Sequence, residues 1–391
     1  MEDIVILSGV RTAIGTFGGS LSGFAPHALG KIVATEAIAR AGLTPDRIGT
    51  VVFGNVITTE PGDMYLSRLA AMGAGVPKEV PAMNVNRLCG SGLQAIITAA
   101  QQLMLGDADF ALAGGAEAMS RAPYALPAMR FGAKMGEAVA VDMLTGTLNC
   151  PFGSGHMGIT AENISERHGI SREDQDAFAL LSQTRAAQAI ADGRFAEQIV
   201  PVEIKTRKGV TAFAVDEHPK ATSAEALAGL RPAFQKDGTV TAGNASGIND
   251  GAAALVLARA SAAKAAGLTP RARITGYAVA GVAPDVMGLG PIPAVTALLE
   301  KTGAKASDFD VIESNEAFAA QALAVSRALG FDPDRVNPNG GAIALGHPVG
   351  ATGAILIVKA LHELERTGGK TALITLCIGG GQGIALSISR D

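Results

Sequence analysis

Three separated fragments each set a reactive side chain beside glycine: Asn86-Arg87-Leu88-Cys89-Gly90-Ser91-Gly92, Gly346-His347-Pro348 and Cys377-Ile378-Gly379-Gly380-Gly381. Glycine lets a backbone amide face a ligand with no Cβ in the way. The chain has only three cysteines and six histidines, so two thiols and an imidazole in such settings point to acyl-transfer chemistry. Cys89 precedes the run Leu93-Gln94-Ala95-Ile96-Ile97. A helix starting near Ser91 would aim its amides and positive dipole end at the sulfur and favour the thiolate. The competing reading of Cys89 is a small buried hydrophobe, where most free cysteines reside.

His347 falls in a turn ahead of a helix-like run, where a neutral imidazole could take a thiol proton or donate to a carbonyl oxygen. It could equally be an ordinary hydrogen-bonded loop histidine. Cys377 ends an apolar strand pattern and precedes glycines, either as strand packing or as a second thiol that moves protons. Those glycines lack the helix and acidic partner of a dinucleotide-binding loop, and no phosphate-binding Gly-rich loop ending in Lys-Ser/Thr exists. Asn315, in Ser314-Asn315-Glu316-Ala317-Phe318, could hold a water against an oxyanion or cap the next helix. Glu316 reads as a solvated first-turn acid. His156 and Met157 could line a pocket or cap the helix after Thr160. Nothing around Cys150 suggests chemistry, and His27, His168, His218 and His362 read as structural or surface residues.

The elements that must position these groups recur at the two ends of the chain. Ala41-Gly42-Leu43-Thr44-Pro45-Asp46 leads into Val51-Val52-Phe53-Gly54-Asn55, and Gly303-Ala304-Lys305-Ala306-Ser307-Asp308 into Val311-Ile312-Glu313-Ser314-Asn315. Cys89 lies 34 residues beyond the first Asn and His347 lies 32 beyond the second, which sets them opposite each other. A helical run follows each, over residues 94–104 and 353–364. A buried-strand pattern with glycines comes next, at Phe110-Ala111-Leu112-Ala113-Gly114-Gly115 and Ala372-Leu373-Ile374-Thr375-Leu376-Cys377. Strands alternating with helices predict an α/β chain, and four matches in one order predict a duplication. Residues 119–247 break the pattern with helical stretches such as 171–192, where Ser171-Arg172-Glu173-Asp174 is an N-cap signal. They read as an insertion over the first half, of the kind that covers or binds a ligand.

Composition sets limits. Hydrophobic residues are 48% and charged residues 17% of 391, which excludes a disordered chain. The net charge of −4 offers no global attraction to nucleic acid. The acidic start is unlike a secretory or transit peptide, and no apolar run approaches the ~18 residues of a membrane span. Scattered cysteines match neither a disulfide framework nor a zinc motif. The expectation is a cytoplasmic protein with reduced thiols.

Taken in order, the fragments resemble the thiolase family, the 3-ketoacyl-CoA and acetoacetyl-CoA thiolases, essentially end to end. The resemblance is carried by Arg11-Thr12-Ala13-Ile14-Gly15-Thr16-Phe17-Gly18-Gly19, Asn244-Ala245-Ser246-Gly247-Ile248-Asn249-Asp250-Gly251, Met287-Gly288-Leu289-Gly290-Pro291, Asn315-Glu316-Ala317-Phe318 and the three opening fragments. Phe53-Gly54-Asn55-Val56-Ile57 and Asp63-Met64-Tyr65-Leu66 are most similar to bacterial β-ketothiolases of broad short-chain range. The resemblance implies a duplicated α-β-α-β-α layered fold. One half spans residues 1–118 with 248–270, the other 271–391, and 119–247 form an inserted loop domain for CoA binding and oligomer contacts. It implies a homotetramer in fatty acid metabolism that uses acyl-CoA and CoA as substrates, with no metal or other cofactor.

By the same resemblance Cys89 would carry the acyl group as a thioester, His347 would assist, and Cys377 would exchange the α-proton of acetyl-CoA. Asn315 would hold a water at the enolate oxygen, and the amides of Cys89 and Gly379 would form an oxyanion hole. Leu148, His156, Met157, Phe234, Ala242, Ser246, Ala317 and Phe318 would form the CoA pocket, with Met287 at the acyl end. Lys220 stands where relatives place an arginine near the nucleotide, a point charge instead of a planar fork. A decarboxylating ketoacyl synthase would need a second histidine in place of Cys377. A noncatalytic acyl-CoA-binding protein would be expected to lack one of the three reactive side chains. Neither reaction direction nor acyl length follows from the sequence.

Overall fold

The computed structural model describes residues 2–207 and 209–390; the expected outer ends, Met1 and Asp391, lie outside them. The first half runs β1 (Ile4–Thr12), α1 (Pro26–Arg40), β2 (Thr50–Gly54), β3 (Ala82–Val85), α2 (Ser91–Leu105) and β4 (Phe110–Ala118). A long excursion carries α3 (Met157–His168) and α4 (Arg172–Ala191) before β5 (Asn249–Arg259) returns to the first sheet. The second half runs β6 (Ala272–Gly281), α5 (Pro291–Thr302), β7 (Val311–Ser314), α6 (Ala319–Leu329), α7 (Thr352–Thr367), β8 (Thr371–Ile378) and β9 (Gln382–Ser389).

The main strand order is β7-β8-β9-β6-β1-β5-β4-β2-β3. The pairs β2–β3, β2–β4 and β7–β8 are parallel, and the other neighbours are antiparallel. Among the described residues the strands of the two halves pair where Val5 meets Arg273 and Ile6 meets Ala272. Alternation along the strands decides the layers, since successive side chains leave opposite faces. On β1, Ile4 and Ile6 enter one core, while Val5 and Leu7 enter another with Leu29 and Val33 of α1. On β8, Ile374 and Leu376 face the shared core, while Leu373 meets Val295 and Leu298 of α5. The inner faces of both sheets enclose α2 and α7, giving the five α-β-α-β-α layers. The central α7 is apolar nearly all round, as a helix buried on every side must be.

The central helices cross at their first turns. A Cβ on Gly92 would lie 2.9 Å from Ala354 N, and one on Gly353 2.3 Å from Leu93 N. Gly92 thus matches Gly353 across a local two-fold, and counting back three residues matches Cys89 with Gly350. The strand registers Gly54–Gly115 and Ser314–Thr375 match Asn55 with Asn315, as the sequence predicts. The repeat therefore sets Gly350, not His347, opposite Cys89. The turn before α7 is longer, and residue spacing alone could not reveal where the extra length falls.

The excursion is tied to β1 by a buried pair. Arg11 donates to both oxygens of Asp216 at 2.7 and 2.9 Å, and Ile14 N donates to the same carboxylate at 2.8 Å. The predicted cap at Ser171 forms, its hydroxyl accepting from Asp174 N at 3.1 Å. No helix among the described residues is long and apolar enough to cross a membrane.

Candidate active site

Cys89 sits on a tight turn at the start of α2. Leu88 holds φ at +46°, a left-handed conformation that is costly for a branched side chain. Local bonds enforce it. Asn86 Oδ1 accepts from Leu88 N at 2.9 Å, and Ser91 Oγ accepts from Arg87 N at 2.8 Å while donating to Leu88 O at 2.7 Å. The turn places Cys89 at a cleft of about 530 Å³ whose wall also includes His347, Cys377 and Gly379. The backbone amides of Gly379 and of Cys89 itself favour the ionised form of the Cys89 thiol.

His347 is held by three contacts. Its backbone N donates to Asn249 Oδ1 at 2.9 Å, and Asn249 in turn donates to Gly15 O at 3.0 Å. Nδ1 lies 2.6 Å from Thr352 Oγ1, and that hydroxyl donates to Pro348 O at 3.0 Å. Its one proton is committed, so Thr352 accepts from the ring and the proton sits on Nδ1. Nε2 keeps its lone pair, 3.4 Å from the donating amide of Asn315. Asn315 is beside His347 Nε2 but is not among the residues of the cleft wall, and its Oδ1 is buried and unbonded among the described residues. It does not cap the next helix, which begins at Ala319.

The remaining expected residues meet around the same cleft. Leu148, His156, Met157, Phe234, Met287, Ala317 and Phe318 all line it; Met157, Met287, Ala317 and Phe318 share one apolar cluster with Cys377, and Phe234 packs against that cluster. Ala242, Ser246 and Lys220 also line it, and Ser246 N donates to Ala317 O at 3.0 Å. Phe234 stacks on His156 at 4.7 Å and meets Phe318 edge-on at 6.1 Å, so the wall is aromatic. His156 both lines the cleft and caps α3, which starts at Met157, its Nδ1 accepting from Gly158 N at 3.0 Å.

Residues 4–261 match the family model described as thiolase, N-terminal domain, and residues 268–390 match thiolase, C-terminal domain. The chain belongs to the thiolase family. The beta-ketothiolase BktB of Cupriavidus necator is 58% identical over 391 residues, covering 100% of this chain and 99% of that protein. The crystal structure of the Bacillus anthracis acetyl-CoA acetyltransferase aligns with a TM-score of 0.97 at 47% identity, covering 100% of this chain and 99% of that one. Human mitochondrial 3-ketoacyl-CoA thiolase in complex with CoA aligns with a TM-score of 0.97 at 43% identity, covering 100% and 98%. As a thiolase the chain is an enzyme, a CoA-dependent acyltransferase of reversible Claisen condensation and thiolysis.

Electrostatics in this thiolase departs from one expectation. The helix start does not give a resting thiolate: burial pushes the Cys89 thiol up to about 11, against the pull of the Gly379 and Cys89 amides. Burial outweighs a half-charge at a helix end because the thiolate loses its water. Burial likewise raises Cys377 far above the ordinary thiol range, and neighbouring Cys89 adds to the rise. It lowers His347 to about 4, so the imidazole is neutral. Two resting thiols face one neutral base.

Two other expectations are corrected. Glu316 is buried, accepting from Ser182 Oγ at 2.6 Å and Asn337 Nδ2 at 2.8 Å. His218 lines the cleft, where burial lowers it to about 4 and its Nδ1 accepts from Asn249 Nδ2 at 3.3 Å. Thr352 and Glu117 carried no signal in the sequence, and the motif that contains Asn249 gave it no role, because each acts through a partner more than a helical turn or a whole domain away.

Proposed function

We propose that this thiolase works through an acyl-Cys89 thioester. His347 Nε2 takes the Cys89 proton, and the thiolate attacks the acyl-CoA carbonyl, with the Cys89 and Gly379 amides receiving the oxyanion. The C–S bond to CoA breaks, and the departing CoA thiolate takes its proton from Cys377. The Cys377 thiolate then removes an α-proton from acetyl-CoA. The protonated His347 and a water held by Asn315 stabilise the enolate oxygen. The enolate carbon attacks acyl-Cys89, the thioester bond to Cys89 breaks, and His347 returns the proton to its sulfur. The observation that carries this reading is the meeting of Cys89, Cys377 and His347 at one cleft, with His347 in the tautomer that leaves Nε2 unprotonated.

Leu148, His156, Met157, Phe234, Ala242, Ser246, Ala317 and Phe318 are assigned to CoA, with Met287 at the acyl end and Lys220 near the nucleotide. The steps are proton and acyl transfers, which call for no metal or redox cofactor. The enzyme is placed in the cytoplasm, in fatty acid metabolism, as a homotetramer. The exposed apolar side chains of Tyr124, Phe131 and Met135 support assembly through the excursion. The similarity to a beta-ketothiolase supports a substrate range beyond acetoacetyl-CoA.

Steady-state thiolysis of 3-ketoacyl-CoA substrates of increasing length tests the assignment, together with mass spectrometry of the enzyme after brief exposure to acyl-CoA. An acyl adduct on Cys89 and cleavage of the longer substrates are expected. Cleavage confined to acetoacetyl-CoA would reduce the range to acetyl transfer. A folded enzyme that acylates no cysteine during turnover would overturn the mechanism.

A further inference from the structure

The local two-fold relates the active site to a second set of positions in the first half. Cys89 matches Gly350, Asn315 matches Asn55, and the strand registers match Cys377 with Glu117. Both members of the last pair face a glycine on the next strand, Gly383 for Cys377 and Gly251 for Glu117. The first half thus carries an image of the site in which the acyl-bearing cysteine is replaced by glycine and the second thiol by a carboxylate.

That carboxylate is fully buried and surrounded by donors. Glu117 Oε2 accepts from Val56 N and Gly350 N, both at 2.9 Å, and Oε1 accepts from Ile57 N and Asn55 Nδ2, both at 3.1 Å. Gly350 ends the turn that begins at His347. Asn249, two residues before the partner of Glu117 on the same strand, holds His347 N at the other end. A Cβ on Gly350 would lie 2.4 Å from Glu117 Oε2, so the carboxylate fills the space that the Cys89 side chain has in the other half. Val56 and Val349 carry the two clamped segments to the cleft wall.

We propose that Glu117 is a positioning residue for this reaction: it fixes the 347–350 turn from the opposite half of the fold and so sets His347 against Cys89. All four surrounding groups donate, so the carboxylate is the form that they can satisfy. Burial pushes Glu117 up to about 8 against the three amides, and the neighbouring charge of Asp63 adds to the rise. The negative charge itself raises the Cys89 thiol, which gives the test its direction.

The role rests on the acyl-Cys89 reading, and the test separates the two. In Glu117→Gln one oxygen becomes an NH2 group facing two N–H donors, which pushes the turn away. Expected are a kcat lower by about 10- to 100-fold with KM for acyl-CoA little changed, as misplacement of a catalytic base produces. Iodoacetamide labelling of Cys89 at a pH above the Glu117 value of about 8, localised by mass spectrometry, should slow toward the rate of a His347→Ala reference. Removing a negative charge beside Cys89 would alone speed labelling, so slowing must come from His347. Labelling at or above the parental rate with parental kcat would overturn the proposal. If Glu117→Gln does not fold, Gly350→Ala keeps the charge and displaces the same turn. Parental kcat and labelling in that variant would overturn the proposal equally. A parent without thiolysis would sink the functional reading, while labelling would still decide the clamp.

Discussion

Thr352 Oγ1 accepts the Nδ1 proton of His347 at 2.6 Å and gives its own proton to Pro348 O. One hydroxyl on the first turn of α7 therefore decides which ring nitrogen can act as base. The imidazole is neutral by burial, so its tautomer, not its charge, is what the fold must control.

Thr352→Val removes the acceptor and leaves the tautomer unspecified. A fall in kcat of about 10- to 100-fold is expected, less than the loss of the general base itself because the imidazole remains, and Thr352→Ser should restore most of it. Steady-state kinetics of both variants checks this; equal loss in the two would show that packing, not the hydrogen bond, matters.

Cys377→Ala should still accept an acyl group on Cys89, since the attack and the oxyanion donors remain. It should not exchange the methyl protons of acetyl-CoA with deuterated water, and condensation should fall by at least about 100-fold. NMR of the recovered acetyl-CoA is the measurement. Exchange at the parental rate would assign the base elsewhere.

Lys359 and Glu313 form an ion pair of 2.7 Å in the central layer, both side chains nearly inaccessible, and Lys359 also donates to Gly340 O at 2.7 Å. Burial still holds Glu313 up at about 7. Lys359→Met leaves that carboxyl without its cation and should cost about 3–5 kcal/mol in urea unfolding. Adding Glu313→Leu to Lys359→Met should recover much of the loss. A double variant as weak as the single one would remove the ion pair as its cause.

His362 is held at about 4 by burial, with Arg271 adding to the drop. Between its unfolded value of ~6.5 and about 4 the unfolded chain binds a proton that the folded chain does not. Its stability contribution is whole above that unfolded value and declines as pH falls toward 4, in the same direction as His218 and His347. Glu117 and Glu313 act oppositely, since their raised values favour the folded state on acidification. The comparison is therefore variant against parent: on acidification from about pH 7 to about pH 4.5 the parent should lose a few degrees more in Tm than His362→Gln. Identical acid slopes would show that His362 does not supply this linkage.

Much of the site was legible because its reactive groups stand beside glycines at strand and helix ends. Cys89, His347, Cys377 and Gly379 all reach the cleft that their motifs predicted. The residues that orient them were not legible. Thr352 falls just ahead of the helical run expected over 353–364, Asn249 lies in a motif that gave it no role, and His218 read as a structural or surface histidine. Glu316 read as solvated because a first-turn acid normally is, and only the packing of α4 over it places the Ser182 hydroxyl against its carboxylate. The resting state of Cys89 was misjudged for a related reason: a helix dipole is visible in a sequence, whereas the loss of solvent around a sulfur is not.

The alternation of strands with helices, the duplicated halves and the chemistry of the three motifs follow from local pattern, because side-chain period and glycine placement are properties of neighbouring residues. The match of Cys89 with Gly350, the tautomer of His347 and the burial of Glu117 belong to the tertiary structure alone. Each depends on groups up to 261 residues apart that meet only when the two sheets close over α2 and α7. Closure removes water from those groups and leaves each of them the partners that the opposite half provides.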